Sequence, residues 1–216
     1  MFLPLLVKTN NGLSMRFNIF LGENVQDLIK NYFTESIQTQ IVMAESLGFS
    51  IEKAAKIIVE GLLSGNKIMS CGNGSSAANV QSFTSRLITS IAIERPSIPA
   101  LALVSDNVLL SAIVNHEEIY ARQIQALGQQ GDILIVATCQ GKSRAIIRAV
   151  QEAVIKDMKI VALTAFDGGE VIGLLGQNDI EIRIPSYKKV MAYEMHAMIL
   201  NCLCQLIENN LFNHAE

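Results

Sequence analysis

The chain has 216 residues, half of them hydrophobic and 17% charged, with a formal net charge of −3. So much apolar surface supports one sizeable core, and so few charges imply that part of the surface is covered in an oligomer. The composition shows no basic stripe for direct nucleic-acid binding and no uncharged run of 18 apolar residues to span a membrane.

Residues 1–23 read as an irregular arm around Asn10, Asn11 and Gly12, with Met15 as an alternative start. The apolar opening Met1-Phe2-Leu3-Pro4-Leu5-Leu6-Val7 lacks the basic lead-in and small-residue cleavage site of a signal peptide. Residues 24–216 read as a single domain that opens on a helical hairpin. Val25, Leu28, Ile29, Tyr32, Ile41 and Ala44 fall largely at helical spacing, Gly48 ends that helix, and Ser50 caps a second one carrying Ile51, Ala54, Ala55, Ile58 and Leu62. Ser64-Gly65-Asn66 is a turn.

Short apolar runs then alternate with helical patterns. The runs are 68–71, 100–104, 133–137, 160–164 and 180–184, and the helices between them 76–90, 107–113, 117–127, 142–156 and 170–175. This rhythm predicts an α/β fold, a doubly wound five-stranded parallel sheet. Pro185 and Ser186 open a last helix to about Asn210, apolar nearly all round, which places it in a subunit interface. It should fray at Asn209 and Asn210, leaving Leu211 and Phe212 as an apolar pair beyond its end.

Cys71, Cys139, Cys202 and Cys204 make no C-x-x-C pair and stand with only three histidines. That supports neither a disulfide framework nor a zinc site, and free cysteines in apolar segments fit a reducing, cytoplasmic compartment.

Two loops carry the chemistry. The first strand runs into Cys71-Gly72-Asn73-Gly74-Ser75-Ser76-Ala77-Ala78-Asn79, where glycines let a ligand approach the backbone and a helix start aims its positive end at it. Gly72, Gly74 and Ala77 also match G-x-G-x-x-A, but the acidic partner of a dinucleotide motif is misplaced, because Glu94 precedes the second strand. After the third strand comes Thr138-Cys139-Gln140-Gly141-Lys142-Ser143. Its Gly141-Lys142-Ser143 resembles the end of a P-loop, and Val136 stands where that motif needs its first glycine. With strand order 2-1-3-4-5 the two loops meet at a topological switch point and form an anion site.

These strings, with Arg95-Pro96-Ser97-Ile98-Pro99-Ala100, Gly131-Asp132, Leu163-Thr164, Asp167-Gly168-Gly169 and Glu194-Met195-His196, resemble the sugar isomerase (SIS) domain of phosphoheptose isomerases, from about Gln26 to Phe212. Phe33-Thr34-Glu35-Ser36-Ile37-Gln38-Thr39-Gln40 and Asn201-Cys202-Leu203-Cys204 are similar to a branch of that family that binds the bacterial replication initiator DnaA. The resemblance implies a homotetramer that promotes initiator assembly at the origin, with no cofactor, and it extends through Leu211 and Phe212, a candidate partner-docking pair. It also implies a phosphosugar or anion site at Asn73, Ser75, Ser76, Asp106, Thr138, Gln140 and Ser143. Gln140 replaces a family serine, and Asp106 is equally suited to capping the next helix.

The family's catalytic base, a glutamate, matches Arg86 here, and its acid, a histidine, matches Asn201. The positions that hold a metal in some isomerases match Ser82, Arg86, Tyr193 and Asn201. A guanidinium does not take a proton at neutral pH and an amide has no useful pKa. His196 lies near Asn201 and reads as structural. The expectation is a non-catalytic assembly protein. The alternatives are a sedoheptulose 7-phosphate isomerase using other residues, or a phosphosugar sensor.

Overall fold

In a computed structural model the described residues are 6–9, 12–15, 24–90, 94–104 and 106–212. The chain divides into two compact units, Met1–Gln38 and Thr39–Glu216. The first unit contains two strands, β1 (Leu6–Thr9) and β2 (Gly12–Met15), paired antiparallel with Leu6 opposite Met15 and Thr9 opposite Gly12. The arm expected to be irregular thus carries two paired strands.

The expected helical hairpin is a single helix, α1 (Val25–Leu63), 39 residues long. Gly48 does not break it. Glycine costs only about 1 kcal/mol against alanine inside a helix, and the apolar stripe runs through it in register: Met43, Leu47, Ile51, Ala54 and Ala55, Ile58 and Leu62. The compact unit that holds the sheet begins at Thr39, inside α1.

That sheet has five parallel strands, β3 (Ile68–Gly72), β4 (Ala100–Ala102), β5 (Ile133–Ala137), β6 (Lys159–Ala165) and β7 (Ile180–Ile184), in the order β4-β3-β5-β6-β7. This is the expected 2-1-3-4-5 order. Alternating residues point to opposite faces. Ile133, Ile135 and Ala137 join Ile68, Val161 and Leu163 in a core with α1, α2 (Ser75–Thr89) and α7 (Lys189–Phe212). Leu134, Val136, Met69 and Ile160 pack on the other side against Tyr120, α4 (Ala121–Leu127) and α5 (Arg144–Ile155). Both faces are covered, as a parallel sheet requires. The remaining short helices are α3 (Asn107–Ala112), α6 (Gly169–Ile172) and a 3₁₀ turn at His116–Glu118, so the helix expected over 117–127 is split.

The last helix starts later than expected. Pro185 and Ser186 lie outside α7, and Ser186 Oγ accepts the Lys188 N–H (3.1 Å). It also ends later. Leu203, Ile207 and Leu211 recur one turn apart against the core, so burial carries the helix past Asn209 and Asn210 to Phe212. Among the described residues α7 is the one helix long and apolar enough to cross a membrane by length and composition, and half of that window is buried inside the fold. It is built as a core helix. Its outer side still exposes Val190 and Met198.

Candidate functional site

Gly72 pairs with Ala137 at the carboxyl ends of β3 and β5, so the two ligand loops leave the sheet side by side. From here the chain crosses to opposite sides, to β4 and to β6. α2 begins after Gly74 (φ 59°) and α5 after Ser143, and neither start is capped by a side-chain hydrogen bond. In α2 the Ala77 N–H turns back to the Gly74 carbonyl (3.0 Å), and no side chain caps either first turn. Between the loops lies a cavity of about 270 Å³ lined by Asn73, Thr138, Cys139, Gln140, Lys142, Ser143, Lys189 and Tyr193.

The second loop is pressed against the turn after β6. Ala165 N–H donates to Cys139 O (3.0 Å) and Val171 N–H to Gly141 O (3.3 Å). Gly141 has φ +61°, and a Cβ there would fall 1.8 Å from the Gly168 carbonyl oxygen. Only glycine fits.

Of the seven residues expected to bind the ligand, Asn73, Thr138, Gln140 and Ser143 line this cavity. Ser75 is the exposed first residue of α2 and does not. Ser76 is fully buried, its Oγ 3.5 Å from His196 Nδ1. Asp106 is exposed and caps α3 by accepting the Leu109 N–H (2.9 Å), the role weighed as its alternative. Sequence reasoning left out Lys142, Lys189, Tyr193 and Cys139. Lys189 and Tyr193 were findable, because they follow the fifth strand and the ends of parallel strands share one rim of the sheet.

His196 ties three elements together. Its Nε2 lies 3.2 Å from the Thr164 carbonyl and its Nδ1 faces Ser76, so Nε2 carries the proton and donates it. Burial pushes the imidazole down to about 4, with the Thr164 carbonyl pulling the other way. Burial also raises the Cys139 thiol, while the neighbouring Ser76 and Tyr193 hydroxyls and the Lys189 charge lower it. Lys142 reaches Asp167 at 3.8 Å with both ends largely exposed. Lys189 makes no ion pair with a described residue.

Arg86 and Asn201, the residues expected at the family's acid–base positions, do not line the cavity. The Arg86 Nε–H donates to Ser82 O (3.3 Å) within α2, and Asn201 is exposed on α7. The set Ser82, Arg86, Tyr193 and Asn201 does not fit a zinc ion. It offers no imidazole, thiolate or carboxylate and brings a permanent cation.

A doubly wound sheet with two helix starts over a polar cavity at its switch point is an arrangement suited to a small anionic ligand. Residues 31–165 match the SIS domain family model, and the chain belongs to the SIS domain family. Its curated relatives include the DnaA initiator-associating protein DiaA of Yersinia enterocolitica, 54% identical over 193 residues (88% of this chain, 98% of the relative). The protein of the same name from Klebsiella pneumoniae is 55% identical over 193 residues, with the same coverage. Among solved structures, a phosphoheptose isomerase from Francisella tularensis superposes with a TM-score of 0.84 at 40% identity, covering 87% of this chain and 100% of that one. A phosphoheptose isomerase from Neisseria gonorrhoeae gives 0.81 at 30% identity, covering 86% and 100%.

Proposed function

We propose that this chain is a non-catalytic SIS-domain protein that associates with the replication initiator DnaA in the cytoplasm, promotes its assembly at the origin as a homotetramer, and keeps a phosphosugar-binding cradle. The observation that carries the non-catalytic part is the pair Arg86 and Asn201. A guanidinium cannot serve as a base and an amide cannot serve as an acid, so the proton shuttle of an isomerase is missing at both positions. The initiator association follows the relatives named for it at 54–55% identity. The tetramer is supported by the exposed apolar residues of α1, among them Phe33, Ile37, Ile41 and Phe49.

Leu211 and Phe212 are the proposed docking pair. Both are half-buried against the core, and the Arg95 guanidinium sits over the Phe212 ring at 5.6 Å. They form a fixed apolar edge at the end of α7, repeated in every subunit, and linked copies gain avidity.

Purified protein should give no turnover of sedoheptulose 7-phosphate, with or without zinc, and should retain DnaA in a pulldown. Turnover of about 1–10³ per second, the ordinary enzyme range, would establish the second reading instead. That reading, a phosphoheptose isomerase using other residues, draws on the 40% identity to the Francisella enzyme. Phe212→Ala should weaken initiator retention by more than about 1 kcal/mol, the scale of an interface hot spot, while light scattering still shows the tetramer. Normal retention would remove the pair from the interface. Loss of the tetramer would assign it to subunit contact.

A further inference from the structure

Resting on the cradle reading above, we propose that the cavity selects a phosphorylated polyhydroxy acid, with the phosphate held at the two helix starts and a carboxylate held by Lys189 and Lys142. The observation is a mismatch between the charge lining the cavity and the charge of a simple phosphosugar. Two lysines line it and no carboxylate does.

The starts of α2 and α5 each add about half a positive charge. A phosphate monoester carries about −1.5 to −2 at neutral pH. Its charge is met by the two helix ends and one lysine, which leaves about one further positive charge at the cavity, set only against the exposed Asp167 at 3.8 Å from Lys142. A neutral sugar chain leaves that charge unanswered, a carboxylate matches it, and a second phosphate overshoots it. Size points the same way, since about 270 Å³ lies just below the usual range of small-molecule pockets, about 300–1,000 Å³.

Lys189 is held in place for this role. Its backbone carbonyl lies 3.9 Å from the Cys139 sulfur, at the edge of the second loop, and it opens α7 directly after the turn from β7. It has no competing ion pair among the described residues. Lys142 has only the 3.8 Å contact with Asp167, and an exposed, solvent-screened pair of that kind is weak, so a ligand carboxylate displaces it readily. Tyr193, one turn after Lys189, is held by Asn79, whose Nδ2 donates to the Tyr193 carbonyl (2.8 Å). A Cβ at Gly74 would lie 3.4 Å from the Tyr193 hydroxyl, so this hydroxyl stands at the mouth of the first loop, between the helix start and the lysine.

The test is a matched pair of probes, 6-phosphogluconate and glucitol 6-phosphate, which differ only in a carboxylate against a hydroxymethyl group. Calorimetry on the full chain, with inorganic phosphate as a third probe, gives the ratio of their dissociation constants. The acid should bind about tenfold tighter, the scale of one charge-assisted contact. In Lys189→Met the ratio should fall to about one, and using a ratio cancels any general loss of binding. A ratio near one in the unaltered protein, with all three probes bound, overturns the inference and leaves the cradle standing. An unchanged preference in both Lys189→Met and Lys142→Met overturns the assignment to these lysines. If none of the three probes binds, the cradle reading itself fails and takes the inference with it.

Discussion

His196 should make the protein sensitive to mild acid. In the folded chain burial pushes its imidazole down to about 4, against the opposing pull of the Thr164 carbonyl. In the unfolded chain it returns to about 6.5. Above pH 6.5 both states are neutral and the full stability is present. As the pH falls below 6.5 the unfolded chain takes a proton that the folded chain refuses until about pH 4, so stability is lost across that window. A difference of this size amounts to about 3 kcal/mol when complete, and to about 2 kcal/mol already at pH 5. Urea unfolding at fixed protein concentration, at pH 7.5, 6 and 5, should show this loss. His196→Gln removes the titrating group, so its profile should be flatter by that amount, even if the variant is less stable at every pH. Parallel profiles for the two proteins, or an imidazole that titrates above pH 6 by NMR in the folded state, would refute the reasoning.

Two further substitutions probe the framework around the site. Arg95→Met should cost about 3 kcal/mol, the low end for breaking a buried charge pair. It strands Glu208, which Arg95 holds at 2.6 and 2.8 Å, whereas the Arg86 and Leu87 carbonyls keep the N–H donors of Ser90 and Ile98. Adding Glu208→Leu should recover most of the loss in a urea titration, and a double variant no better than the single would contradict the pairing. Gly141→Ala should destabilise by about 2 kcal/mol or more, since a side chain there meets both a positive φ and the Gly168 oxygen. An unchanged melting temperature would mean that the second loop and the turn after β6 are not in contact.

The inner strands were readable because parallel strands buried on both faces are short unbroken apolar runs between recognisable helical patterns, whereas β7, at the edge, alternates Ile180, Ile182 and Ile184 with Glu181 and Arg183. The helical hairpin was misread because Gly48 was weighed alone. Its local cost is small beside a stripe of core residues continuing on both sides. The end of α7 failed for the same reason, since the propensity of two asparagines yields to the burial of Leu211 and Phe212. In the site, residue type identified the loops but not where each side chain points. Asp106 and Ser76 are polar residues at ligand-compatible positions that the fold uses internally, one as a helix cap and one as a tie to His196. Lys189 and Tyr193 were invisible to loop motifs because they belong to a helix more than 40 residues further along the chain.

Two hydroxyls expected to hold the ligand, those of Ser76 and Thr138, illustrate that difference, and they can be told apart by where their single proton goes. His196 Nδ1 is an acceptor, because Nε2 carries the ring proton toward the Thr164 carbonyl, so the Ser76 hydroxyl directs its proton inward, to the imidazole at 3.5 Å or to the neighbouring Cys139 sulfur. What Ser76 can offer in any other direction is a lone pair, which repels a phosphate oxygen. Thr138 is the reverse case. Its Oγ1 accepts the Gly141 N–H at 3.3 Å, which uses a lone pair and leaves its own O–H to donate, and it lines the cavity. Thr138→Val keeps the shape of the side chain and removes the donor. It should weaken inorganic phosphate binding by about tenfold, the scale of one hydrogen bond to a charged group. Ser76→Ala should lower the melting temperature, since it leaves a buried imidazole nitrogen without a donor, yet change phosphate affinity by less than about twofold. Calorimetry with phosphate on both variants decides the point: if Ser76→Ala costs more affinity than Thr138→Val, the proton assignment is wrong and Ser76 belongs to the cradle after all.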